Sequence, residues 1–255
     1  MELFDTHAHY DAEEFDADRE QLLAGLPSQG VTLVVNPGCD LPSSQKAAEL
    51  SERFPHVYAA VGVHPENCGD WEDGFLLKLR ALSAKAKVVA IGEIGLDYYW
   101  EENPPRERQQ QVFRDQMALA GELNLPVIVH DREAHGDSLA IIKEFPHVRG
   151  VFHCYSGSVE MAHELVKRGW MISFTGVLTY KNARKSLEVA AAIPMEHLMI
   201  ETDSPYMAPV PCRGRRNDST LVCYVCEKLA EIKGISAEEC ARITLENGKR
   251  FFGIA

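Results

Sequence analysis

The chain has 255 residues, 45% hydrophobic and 25% charged, which suits one large core better than two average ones. A formal net charge of −12 argues against a generic polyanion-binding surface, although a metal centre with a local basic loop can still capture phosphate. No run of about 20 uninterrupted apolar residues supports a membrane span, and the N-terminus lacks the basic start, apolar middle and small-residue cleavage site of a secretory signal.

The first apolar run, residues 3–9, reads as a strand and ends in His7-Ala-His9. Alternate side chains of a strand share a face, so both imidazoles can reach one point in space. Two imidazoles at a strand's C-terminal end suit a divalent metal of the Zn, Mn or Fe class; a hydrogen-bonded rim is the plainer alternative. Further strands are predicted at 32–36, 58–63, 88–94, 126–130, 150–153, 170–174 and 198–202. Several are rich in valine and isoleucine without alternation, as strands buried on both faces should be.

Helical patterns lie between them. Phe113, Met117 and Ala120 share a face within 107–123, and Ala162, Leu165, Val166 and Gly169 do so after Ser158, a plausible cap. Residues 236–239 open a last helix with a Ser-x-x-Glu capping box. Cys223-Tyr-Val-Cys226 lies in an apolar stripe with Leu221, Val222, Val225, Leu229 and Ile232 and has no second pair to complete a zinc site. Those cysteines read as helix residues rather than redox or metal groups. Seven scattered cysteines, an odd number, point to reduced thiols and a cytoplasmic setting.

No linker or composition shift marks a second domain, so residues 1–255 are read as one. Eight β-then-α units in about 250 residues make the arithmetic of a (β/α)8 TIM barrel, an α/β fold. A doubly wound open sheet is the alternative, but no Gly-x-Gly-x-x-Gly follows the first strand. In a barrel the chemistry belongs at the C-terminal strand ends. Those ends carry His7, His9, His64, Glu93, His130, His153 and Asp203; His56, His135, His147, His163 and His197 fall in helices or loops and read as solvated or structural.

A one-metal catalytic zinc site needs three protein ligands and an open position. Six good ligands suffice for two metals if one carboxylate bridges. Two ions about 3.5–4 Å apart sharing a water are a usual device for phosphate-ester hydrolysis. Glu93 is the natural bridge, standing between the His7/His9 strand and the His130 and His153 strands. Asp203 would complete the first metal and accept a proton from the bridging water.

Phe4-Asp-Thr-His-Ala-His9, Val61-Gly-Val-His-Pro65, Ile91-Gly-Glu-Ile-Gly-Leu-Asp-Tyr98, Pro126-Val-Ile-Val-His130, His153-Cys-Tyr-Ser-Gly157 and Glu201-Thr-Asp-Ser-Pro-Tyr206 together resemble the TatD family of metal-dependent deoxyribonucleases. The resemblance covers the whole chain in order. It implies a TIM barrel of the amidohydrolase superfamily, with one metal held by His7, His9, Glu93 and Asp203 and a second by Glu93, His130 and His153. It also implies a hydrolase acting on ester bonds: a 3′-5′ exodeoxyribonuclease that degrades single-stranded DNA, commonly supported by Mg²⁺, with Mn²⁺ and Zn²⁺ as other candidates. Glu93 and Asp203 are the expected catalytic residues, acting through a metal-bridging hydroxide.

One departure from the family stands out. The family usually carries an Arg-rich loop ending in Asn-x-Pro after Pro205-Tyr206; here Arg213-Gly-Arg215-Arg216-Asn-Asp-Ser219 lacks that proline. Guanidinium forks match phosphate oxygens bidentately, so Arg213, Arg215 and Arg216 are expected substrate contacts, with a surface loop pairing acidic neighbours as the alternative. Tyr155 and Tyr206 flank ligand positions and can stack a terminal base or simply pack the rim. His64, surplus to the six ligands, is expected to contact a phosphate or leaving group. An amidohydrolase or lactonase acting on a small molecule is the alternative activity. It is disfavoured because Glu93, not lysine, stands at the fourth strand end, where many of those enzymes place a carbamylated bridge. A non-catalytic metal scaffold is disfavoured because a structural site closes its coordination sphere. No obligate protein partner is evident.

Overall fold

A computed structural model describes residues 1–255, the side chain of Asp73 excepted. Eight parallel strands form one nearly closed barrel in chain order: β1 Leu3–Asp5, β2 Val31–Pro37, β3 Val57–Val61, β4 Val88–Asp97, β5 Val127–Arg132, β6 Gly150–Phe152, β7 Met171–Phe174 and β8 Leu198–Ile200. The helices are α1 Arg19–Gly25, α2 Leu41–Arg53, α3 Asp73–Ser83, α4 Arg106–Leu123, α5 His135–Glu144, α6 Val159–Lys167, α7 Arg184–Ala192, α8 Val222–Lys233 and α9 Ala237–Phe252. Ser158 caps α6 by accepting from the Met161 amide, and Ser236 caps α9 by accepting from the Glu239 amide, each satisfying an orphan donor of the first turn.

The core has two parts. Outside the barrel, strands and helices share a large apolar cluster. Inside, each strand contributes one side chain to a plug: Phe4, Val35, Ala60, Ala90, Ile128, Val151, Met171 and Met199. Phe251, Phe252 and Ile254, from the end of α9 and beyond, pack against this plug. Successive strand residues alternate faces. The next inward position after Ile128 is therefore His130, after Val151 His153, after Met171 Ser173 and after Met199 Glu201. The pleat thus raises a polar layer directly on the apolar one.

The expected strand starting at Leu3 is shorter than read. The β1 ladder ends at Asp5, so His7 and His9 lie past it and are not held by strand alternation. They are held by the barrel seam instead. Ala8 bridges to Ser204, Thr6 N–H donates to Ile200 O (3.2 Å), Asp203 N–H to His7 O (2.9 Å) and His9 N–H to Ser204 O (2.7 Å). Beneath them, buried Asp5 accepts from the Thr202 amide (2.9 Å), the Thr202 hydroxyl (2.6 Å) and the Ser219 hydroxyl (2.6 Å). No helix among the described residues is long and apolar enough to cross a membrane.

Cys223 and Cys226 lie on α8, as read from the apolar stripe. Cys226 is buried and its thiol reaches the Ala237 carbonyl at the start of α9 (3.5 Å).

Candidate metal centre

Four nitrogen and oxygen donors converge at the seam. His7 Nε2 and His9 Nε2 are 3.0 Å apart. Glu93 Oε2 stands 3.2 and 3.5 Å from them, and Asp203 Oδ1 3.7 and 3.5 Å. A metal with donor bonds of about 2.0–2.2 Å requires neighbouring donors roughly 3.0–3.5 Å apart in tetrahedral or octahedral arrangements. The spacing is that of a coordination shell. His9 Nδ1 faces the Pro37 carbonyl (3.2 Å), which can only accept, so the proton sits on Nδ1 and the Nε2 lone pair is free.

The other oxygen of Glu93 serves a second group. Glu93 Oε1 is 2.7 Å from His153 Nε2, 3.0 Å from His130 Nδ1 and 3.6 Å from His64 Nε2. Carboxylates back these imidazoles. His130 Nε2 lies 2.9 Å from Asp97 Oδ2, and His153 Nδ1 lies 3.6 Å from Glu201 Oε1. Glu201 is fixed in turn by the Cys154 amide (2.6 Å) and the Ser173 hydroxyl (2.7 Å). The His130–Asp97 hydrogen bond is of the kind that orients a ligating imidazole and raises its basicity. The Nδ1 atoms of His7 and His153 are buried without a hydrogen-bond partner among the described residues, although a buried polar group is normally satisfied. By spacing of donor atoms alone, the groups that could hold a metal are His7/His9/Glu93, His7/His153/Asp203 and His64/Glu93/His130.

The electrostatics keep the carboxylates ionised. Burial alone would raise the Glu93 pKa, but His153, His7, His64 and the His130 hydrogen bond outweigh it and hold Glu93 well below the usual range. Asp203 is likewise lowered, its burial overcome by His9, His7 and His153. Burial pushes the Cys39 thiol, 3.8 Å from His9 Nδ1, up to about 11, so it offers no thiolate. Asp203 has a left-handed backbone (φ 58°), a conformation that aspartate tolerates better than most residues.

The sequence-predicted residues divide into those the cavity gathers and those it does not. His7 and Glu93 together with His9, His130, His153 and Asp203 converge as described. His64 lines the same cavity, and its Nδ1 accepts the Glu66 amide (3.3 Å). That bond leaves the proton on Nε2, facing the centre, which makes His64 a hydrogen-bond donor rather than a lone-pair ligand. Tyr206 lines the cavity and is 52% exposed. Tyr155 also touches it, but only 4% of its surface is free and its hydroxyl donates to Ser158 O (2.8 Å), so it packs the wall. The arginine loop points elsewhere: Arg216 is paired bidentately with Asp18 (2.8 and 2.6 Å), Arg213 lies over Tyr180 (4.3 Å), and neither they nor Arg215 line the cavity.

Four residues beside the site, Asp97, Glu201, Trp100 and Arg132, are not among those expected from the sequence. A signal for the first two was present: Asp97 ends the same strand as Glu93, and Glu201 stands two residues before Asp203. The cavity itself measures about 770 Å³, within the range of small-ligand sites.

A family model described as TatD related DNase matches residues 4–253. The chain belongs to the TatD family. It is 46% identical over 254 residues to the uncharacterized metal-dependent hydrolase YabD of Bacillus subtilis, covering 99% of each chain. It is 34% identical to the 3′-5′ ssDNA/RNA exonuclease TatD of Cronobacter sakazakii, covering 98% of this chain and 97% of that one. Among solved structures, the TatD homologue YjjV of Escherichia coli K12 superposes with a TM-score of 0.93 at 33% identity, over 99% of this chain and 98% of that one. This TatD-family protein is accordingly a metal-dependent hydrolase with a TIM-barrel fold.

Proposed function

We propose that the chain is a two-metal phosphodiesterase that removes nucleotides from the 3′ end of single-stranded DNA. One observation carries the reading. Glu93 turns Oε2 to His7 and His9 and Oε1 to His130 and His153, as a carboxylate shared between two ions must. The first ion would be held by His7, His9, Glu93 and Asp203, and the second by Glu93, His130 and His153; Mg²⁺, Mn²⁺ and Zn²⁺ all suit such nitrogen and oxygen donors. The bound pair would supply Lewis acidity, lowering the pKa of a water and offsetting charge on the phosphoryl oxygens.

The chain's own groups do the rest. Asp203, ionised and 3.5 Å from His9 Nε2, is placed to orient the attacking water and take its proton. His64 presents Nε2–H toward a phosphate oxygen or the leaving group. Asp97 holds His130 in place through its hydrogen bond, and Glu201 stands beside His153 Nδ1 at 3.6 Å. Polarity and substrate rest on the relative of Cronobacter sakazakii named a 3′-5′ ssDNA/RNA exonuclease.

The test is a 3′-labelled single-stranded oligonucleotide and a lactone panel, each with metal and with chelator, on wild type and Glu93→Gln. The expected result is metal-dependent release of mononucleotides from the 3′ end, lost in the variant together with at least one of two bound ions. Lactone turnover with an intact oligonucleotide would replace this reading with the small-molecule one. A fully active enzyme carrying a single ion would remove the bridging role.

A further inference from the structure

The cavity mouth has a cation and an aromatic face to which the chemistry above gives no role. Arg132 is the last residue of β5 and stands two residues beyond His130, on the same strand face and about 6.6 Å farther out. The β4–β5 register sets it beside Asp97, and its carbonyl accepts the Tyr98 amide (2.9 Å), so its backbone is fixed by the sheet. Its guanidinium lies 4.1 Å from the Tyr99 ring centroid and 5.5 Å from that of Trp100. The two rings meet edge to face at 4.7 Å.

Three features mark this group as a binding surface. Trp100 and Arg132 line the cavity, and among the described residues Arg132 is the only lysine or arginine that does. No carboxylate of the described residues pairs with it, whereas Arg216 is taken by Asp18. A guanidinium held by ring faces keeps its N–H fork for an anion. Trp100 is 44% exposed and Tyr99 51%, while Trp71 and Trp170 are buried. An indole left open at the rim of a cavity containing phosphate chemistry offers a π-face that any unpaired base can stack on.

We propose that Trp100 and Arg132 form a nucleotide subsite one unit from the cleaved bond, the indole stacking a base and the guanidinium gripping its phosphate. This rests on the phosphodiesterase reading and adds to it the source of single-strand preference. A base paired in a duplex has no free face to give to Trp100. It also moves the protein's anion contact from the Arg213–Arg216 loop to the end of β5.

Fluorescence separates this subsite from the parent reading. Of the three tryptophans only Trp100 is exposed, so a phosphorothioate single-stranded oligonucleotide added to the metal-loaded protein should quench emission, and Trp100→Phe should abolish the quench. Trp100→Ala and Arg132→Ala should each raise the oligonucleotide KM about 5- to 100-fold, the range for one stacked base. Their effect on the small diester bis(4-nitrophenyl) phosphate should be the smaller one. No quench in wild type, or an unaltered oligonucleotide KM in both alanine variants, overturns the subsite. Failure of the parent reading has a different signature: wild type turns over no diester with any metal, whatever the quench shows.

Discussion

At the scale of single residues, the centre depends on which imidazole nitrogen is free. Asp97 receives the Nε2–H of His130 and so leaves Nδ1 facing Glu93 Oε1. Asp97→Asn can present an amide N–H where an acceptor is needed, turning the ring or its tautomer. We expect metal affinity or activity to fall about 10- to 100-fold, as for other partners that orient a ligating histidine; on the two-ion proposal, calorimetric titration of apo-protein with Mn²⁺ should show one weakened site and one intact. The six metal-ligand candidates could be singled out in the sequence because each stands in or just after a short apolar run, four of them histidines. The positions of Asp97 and Glu201 beside Glu93 and Asp203 were a weaker signal, because an acidic residue near a strand end reads equally well as a cap. Trp100 and Arg132 are far apart in sequence, and their meeting depends on the β4–β5 register.

Among the elements, local signals and tertiary constraint diverged in an informative way. The α6 and α9 starts were visible because a cap side chain and an apolar stripe are both local properties. Ser236 accepts the Glu239 amide at the start of α9. Ser236→Ala should cost about 1 kcal/mol, which for a chain of this size lowers Tm by roughly 2–4 °C; differential scanning calorimetry measures it, and an unshifted Tm would mean that water satisfies the freed donor equally well. The first strand was overextended from sequence, because Thr6 to His9 carries no break signal. Past Asp5 the segment is shared between two neighbours, Ala8 N–H bonding Val35 O of β2 while His9 N–H bonds Ser204 O, and the second of these is a long-range event. The arginine loop shows the same limit: its composition suggested phosphate, but Asp18, nearly the whole chain away in sequence, takes Arg216.

For the molecule as a whole, the eight-fold alternation was legible because barrel strands are short apolar runs of regular spacing. Net charge is the other property that acts at this scale. A chain at −12 repels nucleic acid over most of its surface, so attraction must be local. If Arg132 and the metal centre are the anchors, only one or two phosphates are neutralised by protein cations. The plot of log affinity against log salt should then have a slope of about −0.7 to −1.4 on single strands. Titration of oligonucleotide binding between about 50 and 200 mM salt reads it, and a slope steeper than about −4 would require an extended basic track.

The seam between the first and last strands has a consequence for how the protein comes apart. Thr6 and Ile200, bonded across it, are 194 positions apart in sequence. His7, His9 and Asp203 lie on that join, whereas His130 lies on β5 and His153 just past β6, bonded to β5 in the middle of the sheet. The centre is therefore a clasp on one side and a rivet on the other. Local opening is easiest where the fewest ladder bonds must break, so the clasp should slip first. On the two-ion reading proposed above, the amides of His9 and Asp203 should gain hydrogen exchange in increasing denaturant while one ion departs. The second ion should leave only when the barrel unfolds. Simultaneous loss of both ions with global unfolding would show that the ring opens as one piece.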